Sequence, residues 1–475
     1  MVSEVLANIN LEDIIPTTIP KNLFRTYDIR GTVSDDGLTV GLAYAIGLAI
    51  GSEVREQRQK AIIVGCDGRL SGPQLVTALM RGLCETGLTV FNVGVVPTPL
   101  VYFATNRLET NSGVMVTASH NPRNHNGFKI ILNGKTLTIE GITAIKTRIQ
   151  ERSFEKDKKG QKIDINIIQD YENYLVQHIQ LACPLKIVVD CGNGVAGKIA
   201  PELYRQMGCE VVELFCEVDG NFPNHHPDPT IPDNLIALID TVKNTNADLG
   251  FAFDGDADRL GVVTEKGEII WPDRQLMLFS MDLLSRLPGS DIIFDVKCSR
   301  HLPEIIRKYR GNPVMWRTGH SVIKAKLFET NAPLAGEMSG HIFFRDEWFG
   351  FDDGIYVGAR LLRIVSHSSQ RVSEIFGALP NTISTPELKL PIPEEEKYLF
   401  MQKLAEKAVF VNAEVITIDG LRVEFENGWG LVRPSNTSPY LILRFEANTK
   451  DELKRIEEIF RIQLLNIDST LKLPF

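Results

Sequence analysis

Over the first 165 residues, short apolar runs alternate with stretches whose apolar side chains recur every three to four positions. KAIIVGCDGR (60–69) is an apolar run ending in a polar turn, which predicts a strand and its loop. SGPQLVTALMRGLCETG (71–87) has helical spacing and stops at a glycine. LTVFNVG (88–94) predicts the next strand, and SGVMVTASHNP (112–122) a strand entering a polar loop. Strands separated by helices of this length predict βαβ units around a buried, largely parallel sheet. The charged, glycine-containing EKDKKGQK (155–162) reads as a solvated linker.

After it the pattern restarts. LKIVVDCGNGVAG (185–197) predicts a strand, a glycine turn and a helix start, and ADLGFAFDGDADRLGVVT (247–264) a strand, an acidic loop and a strand. A third block has SDIIFDVKCS (290–299) as a strand and APLAGEMSGHIFF (332–344) as strand, loop, strand. From about residue 380, STPELKLPIP, EVITIDGLRVEFENGWGLVRPS and YLILRFEA predict an antiparallel sheet, closed by the helix KDELKRIEEIFRIQLL. The expectation is three α/β blocks, 1–165, 166–267 and 268–379, and a smaller α+β block, 380–475. Each of the first three presents a polar loop after a buried strand, where open α/β sheets bind ligands.

Length fits this division, since 475 residues at roughly 150 per domain allow three or four domains. With 43% apolar and 23% charged residues, global disorder is not expected. Lys plus Arg number 51 and Asp plus Glu 60, a formal charge of −9, which argues against a dedicated binder of nucleic acid or anionic membrane. No apolar run approaches the roughly 20 residues that span a bilayer, and MVSEVLANINLEDIIP lacks the basic start and apolar core of a signal peptide. The seven cysteines (Cys66, Cys84, Cys183, Cys191, Cys209, Cys216 and Cys298) are scattered without a CxxC. That pattern predicts a reduced, cytoplasmic protein without a disulfide framework or zinc knuckle.

Four loops carry candidate chemistry. In Asp254-Gly255-Asp256-Ala257-Asp258-Arg259, three carboxylates at alternate positions follow an apolar strand and can converge on a hard cation. An EF-hand is excluded, although Glu265 stands at loop position twelve. Arg259 occupies the position that needs glycine, and the flanks are strand-like. The alternative is a solvated acidic turn, but carboxylates this close repel unless a cation sits among them. In Thr117-Ala118-Ser119-His120-Asn121-Pro122, Ser119 is a candidate nucleophile or phosphate carrier, or else a capping serine. Sequence alone does not make His120 its base. Gly336-Glu337-Met338-Ser339-Gly340-His341 puts a carboxylate, a hydroxyl and an imidazole in one loop; Glu337 and Ser339 suit adjacent sugar hydroxyls, and the alternative is a polar turn. Arg433-Pro434-Ser435-Asn436-Thr437-Ser438-Pro439 is a donor-rich loop suited to phosphate, or a proline-flanked turn. Gly192-Asn193-Gly194-Val195-Ala196-Gly197 matches GxGxxG, with Glu213 further on as in a dinucleotide fingerprint. It sits mid-chain, and hydride transfer explains none of the four loops, so a tight strand-to-helix turn is the better reading.

Together and in this order, the four loops resemble those of the α-D-phosphohexomutase superfamily, above all its bacterial phosphomannomutase/phosphoglucomutase branch. FRTYDIRG (24–31), GVVPTPLVYF (94–103), DGNFPNHHPDPTIPDNL (219–235), DVKCSR (295–300), RTGHSVIKAKL (317–327), WFGFDDGIY (348–356) and LILRFEA (441–447) extend the likeness over nearly the whole chain. Cys66 departs from it, standing where the family commonly has arginine. Met338 separates the chain from the phosphoglucosamine mutase branch, which usually has glutamine there.

The resemblance implies four domains around a central cleft, three of one α/β topology and a C-terminal α+β domain. It implies that Ser119 is a phosphoserine completing a Mg2+ site with Asp254, Asp256 and Asp258. Glu337 and Ser339, with Met338 and Gly340 in the same loop, would hold sugar hydroxyls. Arg433, Pro434, Ser435, Asn436 and Thr437 would hold the non-reacting phosphate. Tyr27, Arg30, His120, Lys129, Arg259, Lys297, His320 and His341 would line the cleft, with Lys129 and His320 the candidate general acid/base. The implied activity interconverts hexose 1- and 6-phosphates of mannose or glucose through glucose 1,6-bisphosphate or mannose 1,6-bisphosphate. The expected partner is a small phosphosugar, with no nucleic acid or membrane, and the expected state a monomer. A phosphoglucosamine mutase, a nucleotide-dependent oxidoreductase and a non-catalytic sugar-phosphate sensor are the rival readings.

Overall fold

The apolar run at 60–66 is the strand Ala61–Cys66, and the helical spacing after it is the helix Gly72–Glu85. In this computed structural model, which describes residues 10–20, 22–25, 28–435 and 438–475, that strand lies inside a mixed sheet. Its order is Ile29–Thr32, His125–Leu132, Gly113–Val116, Ala61–Cys66, Thr89–Val95, Lys162–Asp164, with Lys135–Thr136 beside His125–Leu132. Ala61–Cys66 pairs in parallel with both neighbours, and Thr89–Val95 with Lys162–Asp164. The pairings of His125–Leu132 are antiparallel. The largely parallel expectation therefore holds in the middle of the sheet and fails at one edge. There the chain leaves Gly113–Val116 through the loop 117–124 and turns straight back, with no helix to carry a parallel crossover. Cys66 is buried at the end of its strand, and burial pushes its thiol up to about 12.

The segment 155–162 is solvated yet docked on the helices Val40–Glu56 and Gly72–Glu85. Arg55 donates to Asp157 at 2.6 Å, and the Gly160 amide donates to the Cys84 carbonyl at 2.7 Å.

A second sheet runs Ile269–Ile270, Leu260–Thr264, Leu249–Phe253, Lys186–Asp190, Glu210–Leu214. Leu249–Phe253 and Leu260–Thr264 are an antiparallel pair in which Phe253 faces Leu260, so residues 254–259 form the whole turn. Both strands are buried at every position, as their unbroken apolar sequence requires when both sheet faces are covered. The GxGxxG stretch is a strand-to-helix turn, passing through the 3-10 turn Val195–Lys198 into the helix Ala200–Gln206. Its last glycine is a packing residue, since a Cβ on Gly197 would lie 1.8 Å from the Cys216 carbonyl oxygen. Glu213 is paired with Arg205 at 2.5 Å. The glycine loop thus packs against protein.

These two sheets, with the returning segment Ser339–Ile375, form one of two compact units; Asp273–Met338 and Phe376–Phe475 form the other. In the returning segment, Asp353 caps the helix Gly354–Ser366 by accepting from the Tyr356 amide. Its carboxylate also accepts from the Tyr171 hydroxyl at 2.9 Å, and Trp348 stacks on Tyr356 with ring centroids 4.3 Å apart.

The second unit holds three parallel strands in the order Asn312–Trp316, Asp291–Asp295, Leu334–Gly336. It also holds the expected antiparallel sheet, in the order Ile383–Ser384, Tyr440–Ala447, Gly428–Pro434, Leu421–Phe425, Glu414–Ile416, with Leu388–Pro391 beside Tyr440–Ala447. The helices Lys397–Lys407 and Lys450–Ile467 cover a core that includes Leu404, Leu443, Phe445 and Phe460. No helix among the described residues is long and apolar enough to cross a membrane.

Candidate active site

Ser119 sits just beyond the strand Gly113–Val116 with φ +50°, a left-handed conformation that a serine adopts only when its surroundings impose it. Three contacts impose it. The Ser119 amide donates to Thr117 Oγ1 at 2.8 Å. Thr117 Oγ1 donates to Asp67 Oδ2 at 2.6 Å. Arg69 donates to the Ser119 carbonyl at 2.6 Å. Arg69, 1% exposed, also donates to the carbonyls of Asn121, Pro122 and His125 at 2.6, 2.7 and 3.0 Å and pairs with Asp67 at 3.2 Å. One guanidinium thus holds the whole 119–125 loop. Arg30 adds bonds to Asn121 Oδ1 at 2.9 Å and to the Ala118 carbonyl at 3.3 Å.

The acidic loop meets this serine directly. Ser119 Oγ donates to Asp254 Oδ2 at 2.6 Å and lies 3.1 Å from His120 Nδ1. A Cβ on Gly255 would fall 2.5 Å from the Ser119 carbonyl oxygen, so only glycine lets the two loops approach this closely. Asp254, Asp256 and Asp258 are at most 1% exposed and offer oxygens within 4.8 Å of one another. Asp256 Oδ1 and Asp258 Oδ1 are buried without a hydrogen-bond partner among the described residues. Three converging hard oxygen donors, two of them unsatisfied, fit a divalent cation.

The charges around the cluster are arranged to match. Lys129 Nζ contacts Asp256 Oδ2 at 2.7 Å and also Asp258 Oδ2. Burial works against its charge, but the two aspartates outweigh burial and hold its pKa well above the usual lysine value. Burial, then Asp258 and Asp256, push the Asp254 carboxyl well above the carboxylate range. For Asp256 burial is outweighed by Lys129, with help from Thr98 at 2.5 Å, and its carboxyl is held below that range. His120 is driven well below the ordinary histidine value by burial, then by Arg259 and Arg30, and stays neutral.

A second group, Asp258, His341 and Asp352, also brings ligand atoms within 4.8 Å, but the hydrogen bond to its histidine opposes a metal. Arg259 Nε, always a donor, points at His341 Nε2 at 3.0 Å. The ring proton therefore sits on Nδ1, which faces Asp352 Oδ2 at 3.0 Å and Asp258 Oδ1 at 3.5 Å. A cation there would need the Nδ1 lone pair. The bond from Arg259 Nε to His341 Nε2 orients Arg259 instead.

In the second unit, Lys297 pairs with Glu387 at 2.6 Å and lies 3.8 Å from Asp295. Glu337 Oε1 accepts from the Gly319 amide at 2.5 Å, one residue before His320 opens the helix His320–Thr330. The Met338 amide donates to Asp295 Oδ1 at 3.1 Å. Arg433 is held by Asp419 through Nε at 3.0 Å, while its buried Nη2 has no hydrogen-bond partner among the described residues. Pro434 ends the strand, and the Ser435 carbonyl after it accepts from the buried Lys397 at 2.7 Å. The unit boundary falls between Met338 and Ser339, so Ser339, Gly340 and His341 belong with Arg259 in the first unit. Tyr27, Asn436 and Thr437 lie outside the described residues.

Within the first unit, the expected residues Ser119, His120, Lys129, Asp254, Asp256, Asp258, Arg259 and His341 meet in one buried cluster, with Arg30 bracing the serine loop. Sequence reading gave no role to Arg69, Thr98, Asp352, Asp295, Asp419 or Lys397. Thr98, Asp352 and Asp295 stand in stretches that carry the family likeness, and that was the available signal. Asp419 and Lys397 stand in no such stretch, and a lone charge in a sequence gives no hint of its partner.

The segments 21–156, 167–267 and 271–383 match phosphoglucomutase/phosphomannomutase alpha/beta/alpha domains I, II and III, and 387–463 matches the C-terminal domain of the same family. The chain belongs to the phosphoglucomutase/phosphomannomutase family. It is 54% identical over 458 residues to a Pseudomonas aeruginosa phosphomannomutase/phosphoglucomutase, covering 96% of this chain and 98% of that one. It is 51% identical to a Neisseria gonorrhoeae phosphoglucomutase, covering 94% of this chain and 97% of that one. A crystal structure of a Burkholderia thailandensis phosphoglucomutase/phosphomannomutase family protein superimposes with a TM-score of 0.92 at 50% identity, covering 96% of this chain and 100% of that one.

Proposed function

We propose that this chain is a phosphohexomutase interconverting the 1- and 6-phosphates of mannose or glucose, with Ser119 as phosphoryl carrier. The observation that carries the reading is the 2.6 Å bond from Ser119 Oγ to Asp254, inside a buried cluster of three carboxylates and Lys129. A phosphoserine brings roughly −1.5 to −2 further charge. Carboxylates with unsatisfied oxygens tolerate that only around a cation, so Ser119 with Asp254, Asp256 and Asp258 would hold Mg2+. Bound there, Mg2+ supplies charge neutralisation for the transferring phosphoryl group.

The chain's own residues do the rest. The bond from Ser119 Oγ to phosphorus breaks as a sugar hydroxyl bonds to it, giving a 1,6-bisphosphate. After the sugar reorients, Ser119 takes the other phosphate. Positioning dominates this chemistry, and Arg69, Thr117 and Gly255 fix the serine against the acidic loop. Lys129 and Arg259 offset charge on the transferring group. Lys129, paired with Asp256 and Asp258, and His320 are the candidates for the general acid/base role. Glu337, Met338, Ser339, Gly340 and His341 take the sugar. Lys297, with Arg433, Pro434, Ser435, Asn436 and Thr437, takes the non-reacting phosphate. We assign the four domains to 1–165, 166–267, 268–379 and 380–475, and read the protein as a cytoplasmic monomer.

The test couples hexose 1-phosphate to 6-phosphate conversion with mass analysis of the purified protein. One phosphate on Ser119 and loss of most turnover in Ser119→Ala are expected. Wild-type rates in that variant, with no phosphopeptide, would sink the covalent route.

A further inference from the structure

The two strands that carry the glycine turn end in a pair of thiols. Cys191 follows Lys186–Asp190, and Cys216 follows Glu210–Leu214, its parallel neighbour. Phe215, with φ +50°, turns the chain so that Cys216 Sγ comes to 3.5 Å from Cys191 Sγ. Cys191 is fully buried, whereas Cys216 is partly exposed. Neither residue has a role in the reaction proposed above.

We propose that Cys191 and Cys216 are a reversible disulfide site, oxidised by a hydroperoxide, and that closing it lowers turnover. The partly exposed Cys216 meets the oxidant first. Its thiolate sulfur attacks a peroxide oxygen; the S–O bond forms, the O–O bond breaks, and the leaving hydroxide takes a proton as water. Cys191, giving up its proton, then attacks the Cys216 sulfenic sulfur. The S–S bond forms and the S–O bond breaks, releasing a second water. Two thiols lose two electrons and two protons, and one hydrogen peroxide becomes two waters.

A disulfide needs sulfurs about 2 Å apart, so the pair must close by roughly 1.5 Å. The backbone around it is tied. The Cys191 amide donates to the Leu214 carbonyl at 3.1 Å, and the Asn193 amide to the Phe215 carbonyl at 2.8 Å. The glycine turn has no slack, because Cβ positions on Gly197 and Gly194 would lie 1.8 Å from the Cys216 oxygen and 2.9 Å from the Cys191 oxygen. The turn in turn supports the acidic loop. The Val195 amide donates to the Gly255 carbonyl at 3.2 Å, and a Cβ on Gly194 would meet Gly255 Cα at 3.1 Å. Gly255 is the residue that lies against Ser119. Closing the disulfide therefore moves the floor beneath the reacting serine.

The effect on turnover rests on the mutase reading, whereas the cross-link itself does not. The full chain is treated with hydrogen peroxide, alkylated and mapped by non-reducing peptide mass analysis, with mutase rates measured before treatment, after it, and after dithiothreitol. A Cys191–Cys216 cross-linked peptide lacking two hydrogens is expected, with a loss of turnover of about tenfold or more that dithiothreitol restores and that Cys216→Ser escapes. Both thiols alkylated after peroxide would overturn the site. A cross-link without loss of turnover, or the same loss in Cys216→Ser, would overturn its coupling to the reaction. An inactive reduced protein would instead count against the mutase reading, while the cross-link would still be decided by mass.

Discussion

Replacing Arg69 separates positioning from chemistry, because Arg69 touches the serine loop only through backbone and Asp67. Its guanidinium serves four carbonyls, those of Ser119, Asn121, Pro122 and His125, besides the Asp67 carboxylate. Arg69→Lys keeps the charge but can reach only one or two of the five acceptors, and the three or more buried acceptors left unserved, at about 1–3 kcal/mol each, bring a loss of at least about 3 kcal/mol. In a unit of this size the melting temperature should fall by roughly 5–10 °C. Kinetically, Ser119 loses the donor that fixes its carbonyl, and its left-handed backbone is free to relax. A displacement of about 1 Å in a reacting group can lower turnover on the order of a hundredfold. The assay is calorimetry of Arg69→Lys alongside steady-state mutase kinetics, with KM read separately because Arg69 does not touch the sugar in this reading. A variant with wild-type kcat and melting temperature would refute the claim that one guanidinium holds the loop.

Two further perturbations probe the other clusters. Asp256→Asn removes one ionic ligand while keeping shape, and should lower Mg2+ affinity and kcat together; titration calorimetry with Mg2+ checks the first. Chelation should abolish turnover and Mg2+ restore it, and full activity after exhaustive chelation would exclude the metal role. Arg433→Ala removes a charge-assisted contact worth roughly 1.5–3 kcal/mol, so KM should rise about tenfold to a hundredfold, with a new dependence on added glucose 1,6-bisphosphate. Unchanged kinetics would remove Arg433 from the phosphate site.

What the sequence disclosed follows from how local each feature is. Leu249–Phe253, Asp254, Asp256, Asp258 and Leu260–Thr264 were legible because a hairpin and its turn are contiguous: two apolar runs leave only six residues between them, three of them aspartates. The antiparallel edge formed by His125–Leu132 was missed because the same apolar run serves either strand direction, and only the short loop 117–124 decides it. Lys129 was legible as a residue of interest but not in its partners. Its pairing with Asp256 and Asp258, more than a hundred residues away, shows only in the fold.

Glycine shows the same limit from the other side. GxGxxG at 192–197 and the single Gly255 look unlike in sequence, the first a phosphate-binding signature and the second an ordinary loop residue. In the fold they do related work, because Gly194 packs on Gly255 and Gly255 packs on Ser119. A Cβ at any of these contacts would have to displace backbone rather than a side-chain tip, and backbone held by ladder bonds on both sides moves only with its strand. The absence of side chains therefore transmits position from the strand ends at Asp190 and Leu214 to the reacting hydroxyl. A motif that reads as a ligand cradle is here the stiff support of a site one loop away, and only spatial neighbours, not spacing, could assign it that role.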